Sequence, residues 1–434
     1  MTFRAWKQWV RSLPWSLRWF VFLILLRPIM DPLYFLKDIS PFLSPLYIVG
    51  VLTPILILAS FLAKSFPRKQ GETLLDLLFG LWGGVLFYNA LAAVLAEFSL
   101  ITLEIVFKLT LPVFLYFFLR HFIRSKKDLL GLLTTVLYSA IFPFGMLLFE
   151  RVVSPLKALI LTRGFGRYEG LYADVVSYAI FIMGALIVVS YFFLDERSSL
   201  SFRKRTVILI SVVLLSLLGC ISMHHGASWG VFMVLCVLLA YHSDRRHYAS
   251  ALVVLVLVGS LFYFFAGDTV GERLGRMFQK DLAVLEGRMD ARYALHGRVG
   301  RWQLRLSEWD DLSVLTKLFG VTIDSTPQGA TVLSGIHNDY LRVLFASGLI
   351  GLFFYMIFYI GLFLKSFSRP AGEKFLIRGA MAIILLYSIT TTPTLYASLL
   401  YLSLSIFAYA ALPQHKLHRV TTLQTRRPFL RRAL

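Results

Sequence analysis

The chain has 434 residues, of which 58% are hydrophobic and 16% charged, and its formal net charge is +20. A soluble globular domain has about a quarter of its residues charged, so this composition excludes an ordinary soluble protein. Hydrophobic runs of about 20 residues recur along the whole length, which predicts an all-α fold, a polytopic membrane helix bundle, in the lipid bilayer. The short alternating segments of a β-barrel are absent from the sequence.

The excess of basic residues would by itself fit nucleic acid or an anionic surface. In a membrane protein, however, Lys and Arg in short loops orient the helices, and no nucleic-acid partner is predicted. The two cysteines, Cys220 and Cys236, fall within predicted spans. They are interpreted as small core residues rather than as a disulfide framework.

About twelve transmembrane helices are predicted. Residues 1–17 combine basic residues with tryptophans, which is typical of a cytoplasmic interfacial segment. Nine spans are predicted within 18–266 and three within 337–412, and a basic cytoplasmic tail covers 413–434. The predicted spans lie near 18–36, 42–63, 74–95, 98–119, 128–149, 172–194, 205–223, 226–242, 248–266, 338–364, 374–391 and 393–412.

The distribution of basic residues predicts the orientation of the bundle. Loops on one side carry most of the 44 Lys and Arg residues together with the two termini, whereas the short loops on the other side carry none. By the positive-inside rule, both termini are cytoplasmic. The segments 150–171 and 267–336 therefore face the outside, as does His337.

The hydrophilic segment 267–336 is predicted to contain amphipathic helices. Apolar residues recur every three or four positions through its first part, which is typical of a helix on the membrane surface: Leu274, Phe278, Leu282, Leu285 and Met289. Gly297 and Gly300 are predicted to separate this helix from the next one. Residues 320–335 predict a flexible loop that could act as a lid over His337.

Arginines are concentrated in the second part of the same segment, against the orientation rule. Arg298, Arg301 and Arg305 have the spacing of one helix face, with Trp302 on the adjoining face. One interpretation is a solvated face paired with nearby carboxylates. The other is a site for a phosphorylated ligand, because guanidinium groups offer bidentate donors to phosphate oxygens.

A polar triplet, His337-Asn338-Asp339, lies immediately before an apolar helix. A histidine where a membrane helix meets water can titrate near neutral pH. The alternative is that Asn338 or Asp339 only caps the helix and His337 has no chemical role.

Four stretches together resemble the O-antigen ligase and polymerase family. They are Arg167-Tyr-Glu-Gly-Leu-Tyr-Ala-Asp174, Gly297-Arg-Val-Gly-Arg-Trp302, His337-Asn-Asp-Tyr-Leu341 and Gly348-Leu-Ile-Gly351. The resemblance implies about twelve helices in the bacterial inner membrane, with a large periplasmic loop before the histidine. It also implies that glycan is transferred from an undecaprenyl-diphosphate carrier, with no cofactor, nucleotide sugar or metal.

One position departs from that family's pattern. Family members often have Ser-Arg-Gly where this chain has His224-His225-Gly226. His225 would be a weaker and pH-sensitive substitute for the arginine. Two adjacent histidines can also indicate a metal site, but no cysteine or carboxylate is near them in the sequence, and no metal is predicted.

The resemblance implies roles for particular residues. The catalytic residues are Arg298, which would stabilise the leaving diphosphate, and His337, which would take the proton of the acceptor hydroxyl. Alternatively, His337 positions the acceptor or binds the diphosphate as imidazolium. The remaining candidates for diphosphate binding or support are Arg167, Arg163, Arg301, Arg305, Asn338, His225, Trp302 and Tyr340.

Three functions stay open at this point. The first is a polymerase that joins lipid-linked repeat units of O-antigen or exopolysaccharide, with a glycan as acceptor. The second is a ligase that moves finished O-antigen to the lipid A-core. The third is a polysaccharide flippase, a transporter with a similar number of spans, but the ionisable residues predicted within spans are few, chiefly Lys108 and Arg27.

Overall fold

A computed structural model describes residues 1–40, 43–62, 73–96, 98–157, 160–162, 165–195, 201–243, 279–321 and 336–413, together with 256, 260 and 275. This part of the chain is almost entirely helical. Its single sheet is a two-stranded antiparallel hairpin of β1 (Ile160–Thr162) and β2 (Phe165–Arg167). The predicted all-α class is confirmed.

Eleven α-helices precede residue 244. They are α1 (Phe3–Ser12), α2 (Trp15–Met30), α3 (Leu36–Ile39), α4 (Pro45–Leu62), α5 (Leu74–Ala96), α6 (Leu100–Phe122), α7 (Lys126–Ser139), α8 (Ile141–Val152), α9 (Val175–Leu194), α10 (Phe202–Met223) and α11 (Gly226–His242). A 3-10 helix, Asp31–Phe35, joins α2 to α3.

Five labelled helices follow, after helical turns at 279–285. They are α12 (Ala294–Asp310), α13 (Val314–Phe319), α14 (Asp339–Ser366), α15 (Ala371–Thr390) and α16 (Ala397–Ala410). Short 3-10 helices lie at Ala291–Tyr293 and Pro393–Leu395.

In the part of the chain that the structure describes, eight helical segments are long and apolar enough to cross a membrane, which is the pattern of a multi-pass membrane protein. They coincide with eight predicted spans; the first joins α2 to α3 as Leu17–Ile39, and the fifth joins α7 to α8 as Lys126–Val152. The predicted spans at 226–242, 374–391 and 393–412 are occupied by α11, α15 and α16. The predicted span at 248–266 lies outside the described residues apart from 256 and 260, so the count of twelve stays a prediction.

The outward faces of several helices are apolar, as contact with lipid requires. Leu58 on α4, Phe87 on α5 and Val237 on α11 each expose more than half of their surface. By contrast, α9 is almost entirely buried and is the central helix of the bundle. Exposed apolar surface of this extent marks a membrane contact rather than contact with water.

Residues 1–17, which are predicted to lie at the membrane interface, also pack against the helix bundle. Trp6 donates a hydrogen bond to Thr135 at 2.9 Å, and Trp9 donates to Asp128 at 3.3 Å. Both tryptophans are buried, whereas Trp15 is 85% exposed. The helix α1 is therefore fixed on α7.

The break predicted at Gly297 and Gly300 lies at the start of α12. Leu295 and Gly297 have positive φ, of +48° and +76°, and the chain also bends between 286 and 293. Gly300 permits a close approach, since a Cβ there would lie 3.1 Å from the Arg292 carbonyl oxygen. Leu274 and Phe278 lie outside the described residues, and Leu285 is 82% exposed.

The long helix α14 is interrupted at Gly348, which has φ +66°. A Cβ at this position would overlap the carbonyl group of Leu318. Asn89 holds the same contact together, because its side-chain amide donates to Phe319 O at 2.5 Å and to Ala346 O at 3.0 Å. The break therefore lets the end of α13 dock against α14, which connects the hydrophilic segment to the bundle.

We expect Gly348→Ala to lower the thermal midpoint of the purified protein. A left-handed backbone at a non-glycine residue costs about 1–3 kcal/mol, and the clash with Leu318 adds to it. Gly230→Ala is the matched control, because a Cβ on that helical glycine meets nothing within 4 Å. Equal midpoints for the two variants would contradict the close packing at Gly348.

The orientation is tested by cysteine labelling of intact cells with a membrane-impermeant maleimide. Ser307 on α12 and Ser368 after α14 are both exposed, whereas Cys220 and Cys236 are buried and give little background. We expect Ser307→Cys to be labelled directly and Ser368→Cys only after permeabilisation. The reverse pattern would invert the predicted topology.

Candidate functional site

His337 is placed in a strained turn immediately before α14. Its backbone has φ +44°, the left-handed region that non-glycine residues seldom adopt. The preceding Ile336 is buried, while His337 itself is exposed. Strain of this kind costs about 1–3 kcal/mol and is concentrated at functional sites, where the surrounding structure imposes it.

Two tryptophans hold α12 alongside the start of α14. The indole of Trp302 donates to Ile336 O at 3.1 Å, directly before His337. Trp309 is buried and packs edge-on against Phe345, with ring centroids 5.2 Å apart. Trp309 is therefore turned into the protein, whereas Trp302 is half-buried and Leu306, on the same face, is 41% exposed.

This docking brings two of the predicted arginines to the histidine. Partial burial lowers the pKa of His337, and the positive charges of Arg301 and Arg298 lower it further. Because its ordinary pKa is about 6.5, His337 is neutral at pH 7 before a ligand binds. A neutral imidazole can accept a proton, and the two guanidinium groups beside it can bind an anion.

Arg305 has a different environment from its two neighbours on the helix. Its guanidinium donates to both carboxylate oxygens of Glu308, at 2.8 and 2.7 Å. For this residue the structure matches the interpretation of a helix face paired with carboxylates. Binding of a diphosphate by Arg305 would compete with Glu308.

Asn338 and Tyr340 fix the start of α14 to the end of α15. The Asn338 side chain accepts a hydrogen bond from Leu341 N at 3.0 Å, which confirms its role as helix cap, and its amide approaches Ile389 O at 3.4 Å. The hydroxyl of Tyr340 donates to Leu385 O at 2.9 Å. Both side chains are therefore positioned beside His337 by backbone carbonyls.

A buried polar cluster that the sequence analysis did not single out lies behind His337. Asp339 is fully buried and forms an ion pair with Arg342 at 2.6 Å. Thr394 donates to the same carboxylate at 2.8 Å and also contacts Arg342. The signal in the sequence was an Asp and an Arg three residues apart in an apolar helix, a pairing that membrane interiors require.

His225 lies on the other flank of α15, at the start of α11. It is buried, and its Nδ1 lies 2.9 Å from Ser228 Oγ, which in turn lies 3.0 Å from the hydroxyl of Tyr387. Tyr387 is within one helical turn of Leu385 and Ile389. The carboxyl-terminal end of α15 therefore separates His225 from the residues around His337.

Arg167 is fixed near His225 by the end of α10. It lies in β2, where its Nε donates to Met223 O at 3.2 Å. Partial burial lowers the pKa of Arg167, while the carboxylates of Glu169 and Asp174 act in the opposite direction. Arg163 lies outside the described residues.

The fold thus assembles the predicted site residues in two groups. The first comprises His337, Arg298, Arg301 and the tryptophan that docks them; the second comprises Arg167 and His225. The end of α15 connects them, since it contacts the first group through Asn338 and the second through Tyr387. No protein-family model matches the chain, and no curated protein matches it either.

Proposed function

We propose that the chain is a glycosyltransferase whose site is on the outer face of the membrane. Its donor is a glycan linked to undecaprenyl diphosphate. The observation that carries this proposal is the docking of Trp302 on Ile336, which brings Arg301 and Arg298 close enough to His337 for their charges to lower its pKa. The resemblance of the surrounding motifs to lipid-linked glycan transferases supplies the substrate class. Bacterial inner-membrane location and a periplasmic site are part of the proposal.

In the proposed reaction, an acceptor hydroxyl oxygen attacks the anomeric carbon of the donor sugar. The bond from that carbon to the phosphate oxygen breaks, and its electron pair leaves with the diphosphate. Arg298 and Arg301 stabilise the growing negative charge, because arginine stays ionised and offers two parallel donors. A single displacement of this kind inverts the anomeric centre.

The hydroxyl proton passes to an imidazole nitrogen of His337. The lowered pKa favours this role over phosphate binding by an imidazolium, since the histidine is uncharged at neutral pH. Arg167 is proposed as the second contact to the carrier. Its neighbours Glu169 and Asp174 balance part of its charge, which makes it a weaker anion ligand than Arg301.

The acceptor distinguishes the two transferase activities, and we propose the polymerase. Purified protein in liposomes would be given lipid-linked repeat units extracted from the cells in which the protein occurs naturally (the host cells), either alone or together with lipid A-core. Growth of lipid-linked chains in the first reaction supports the polymerase, and product only with lipid A-core indicates the ligase. No transfer to either acceptor would contradict the proposed function. The flippase would then be the remaining candidate.

A further inference from the structure

A cavity of about 380 Å³ lies between α2, α3, α4, α6 and α16, and its lining does not include His337. Lys37 and Asp38 are exposed at its predicted outer mouth, and Arg27 and Asp31 are buried at its floor. Ten residues of mostly helical chain separate Arg27 from Lys37, which gives a depth of roughly 15 Å. Its volume is within the range of small-molecule binding sites.

The floor and wall of the cavity carry charged groups that a membrane interior ordinarily excludes. Arg27 Nε and Asp31 Oδ1 form a buried ion pair at 2.5 Å. Glu104 pairs with Lys108 at 2.5 Å and lies 3.9 Å from Lys37.

The charge balance argues against a phosphate ligand in this cavity. Its lining contains three basic residues and four acidic ones: Arg27, Lys37 and Lys108, against Asp31, Asp38, Glu104 and Asp174. Each basic residue has a carboxylate beside it, so a diphosphate would be repelled at least as strongly as it is attracted. The ligand that fits this lining carries no net charge and presents both hydrogen-bonding groups and apolar faces.

Much of the remaining lining is apolar, from residues such as Leu46, Val51 and Leu111, and hydroxyls and aromatic rings complete it. Ser44, Thr53, Ser177 and Ser398 provide hydroxyls, and Tyr34 and Tyr47 provide aromatic surface. A saccharide presents hydroxyls that donate to carboxylates and accept from guanidinium and ammonium groups. Its C–H faces are weakly positive and pack on the negative face of an aromatic ring.

The cavity is connected to the candidate site through Tyr396 and Asp174. Tyr396 lines it and donates to Asp174 at 2.9 Å, and Asp174 also acts on the charge of Arg167. Thr394, of the buried cluster behind His337, is two residues before Tyr396. A ligand in the cavity is therefore adjacent to elements that position the transfer residues.

We propose that this cavity binds the saccharide portion of a glycolipid substrate, while the arginines at His337 bind the diphosphate. The proposal rests on the proposed glycosyltransferase function, which names the glycolipid. It assigns a role to Arg27 and Lys108, two ionisable residues within spans that the transfer mechanism does not use.

Two matched variants test the proposal. Gly50 lines the cavity, and a Cβ on it meets nothing within 4 Å, so Gly50→Trp introduces a large side chain at the cavity wall. Gly84→Trp is the control, because Gly84 is an equally open glycine on α5 outside the cavity lining. In liposomes with lipid-linked repeat units from host cells, we expect KM to rise at least about tenfold for Gly50→Trp only, equivalent to about 1.4 kcal/mol.

Undecaprenyl diphosphate without sugar separates the two halves of the ligand. As a competitive product inhibitor, it should bind Gly50→Trp and the wild type equally, because it needs only the arginine site and the lipid. An unchanged KM in Gly50→Trp, or an equal loss of affinity for the sugar-free carrier, would overturn the saccharide assignment.

A second measurement does not depend on transfer. A benzophenone amino acid replacing Tyr47 would be photo-cross-linked in host cells, with the same replacement at lipid-exposed Phe87 as the control. A hexose-containing adduct at Tyr47 alone supports the proposal even if the wild type transfers nothing. Phospholipid adducts only, or no adduct at Tyr47, would overturn it.

Discussion

Replacing His337 with Asn is expected to reduce turnover by roughly 10²- to 10⁴-fold, the usual contribution of a general base. Asn is preferred to Ala because it tolerates the left-handed backbone at this position, where φ is +44°. Affinity for undecaprenyl diphosphate should survive, since Arg298 and Arg301 supply that binding. Turnover of repeat units and inhibition by the sugar-free carrier are measured separately.

The matched control is His224→Asn. His224 has nearly the same backbone conformation, with φ +46°, at the end of α10. It makes the same chemical change without removing the proposed base, so activity should remain close to that of the wild type. Unchanged turnover in His337→Asn would remove this histidine from the site and with it the main support for an enzyme.

The pH dependence follows from the charges around His337. Burial and the two arginines lower its pKa below 6.5, so kcat/KM should rise with pH through a range below 6.5 and then level off. Removing a positive charge with Arg301→Gln raises the pKa, so the acidic limb should move to higher pH. If kcat/KM instead falls as the pH rises through this range, His337 acts as a phosphate-binding cation.

Replacing Arg298 with Lys is expected to reduce kcat/KM by about 10- to 100-fold, although the charge is kept. A lysine offers a point charge instead of two parallel donors, and a hydrogen bond to a charged group contributes about 1.5–3 kcal/mol. Arg298 is on α12, whose docking through Trp302 places it beside His337. Turnover of lipid-linked repeat units in liposomes is the measurement.

Arg292→Lys is the control for that substitution. Arg292 belongs to the same hydrophilic segment, but it is exposed and pairs with Asp290 at 3.0 Å. Exposed ion pairs contribute little to stability, so this variant should retain normal turnover. Near-normal turnover of Arg298→Lys as well would mean that the arginines of α12 form a solvated helix face.

The sequence by itself determined the class of the protein and most of its helices. Apolar runs long enough to cross a bilayer admit few structures, because every backbone polar group in lipid needs an internal partner. Asn338 was recognisable as a cap from its position before an apolar helix, and the structure confirms it. The shared face of Arg298, Arg301 and Arg305 also followed from helical spacing alone.

Only the tertiary structure distinguished among these arginines. Helical periodicity places residues on a face, but it does not state what that face meets. Docking of Trp302 on Ile336 put Arg298 and Arg301 beside His337, whereas Glu308 engaged Arg305. Long-range packing is not encoded in any local pattern, so the two outcomes could not be separated from the sequence.

The buried cluster and the cavity also depended on tertiary structure. Asp339 and Arg342 are close in sequence, but Thr394, which completes their hydrogen bonding, is 55 residues away from Asp339. Arg27 and Lys108 stood out in the sequence as isolated charges in apolar helices. The packing of α2 and α6 against α4 places them in the lining of one cavity, where Arg27 is buried and Lys108 is half-exposed, each paired with a carboxylate.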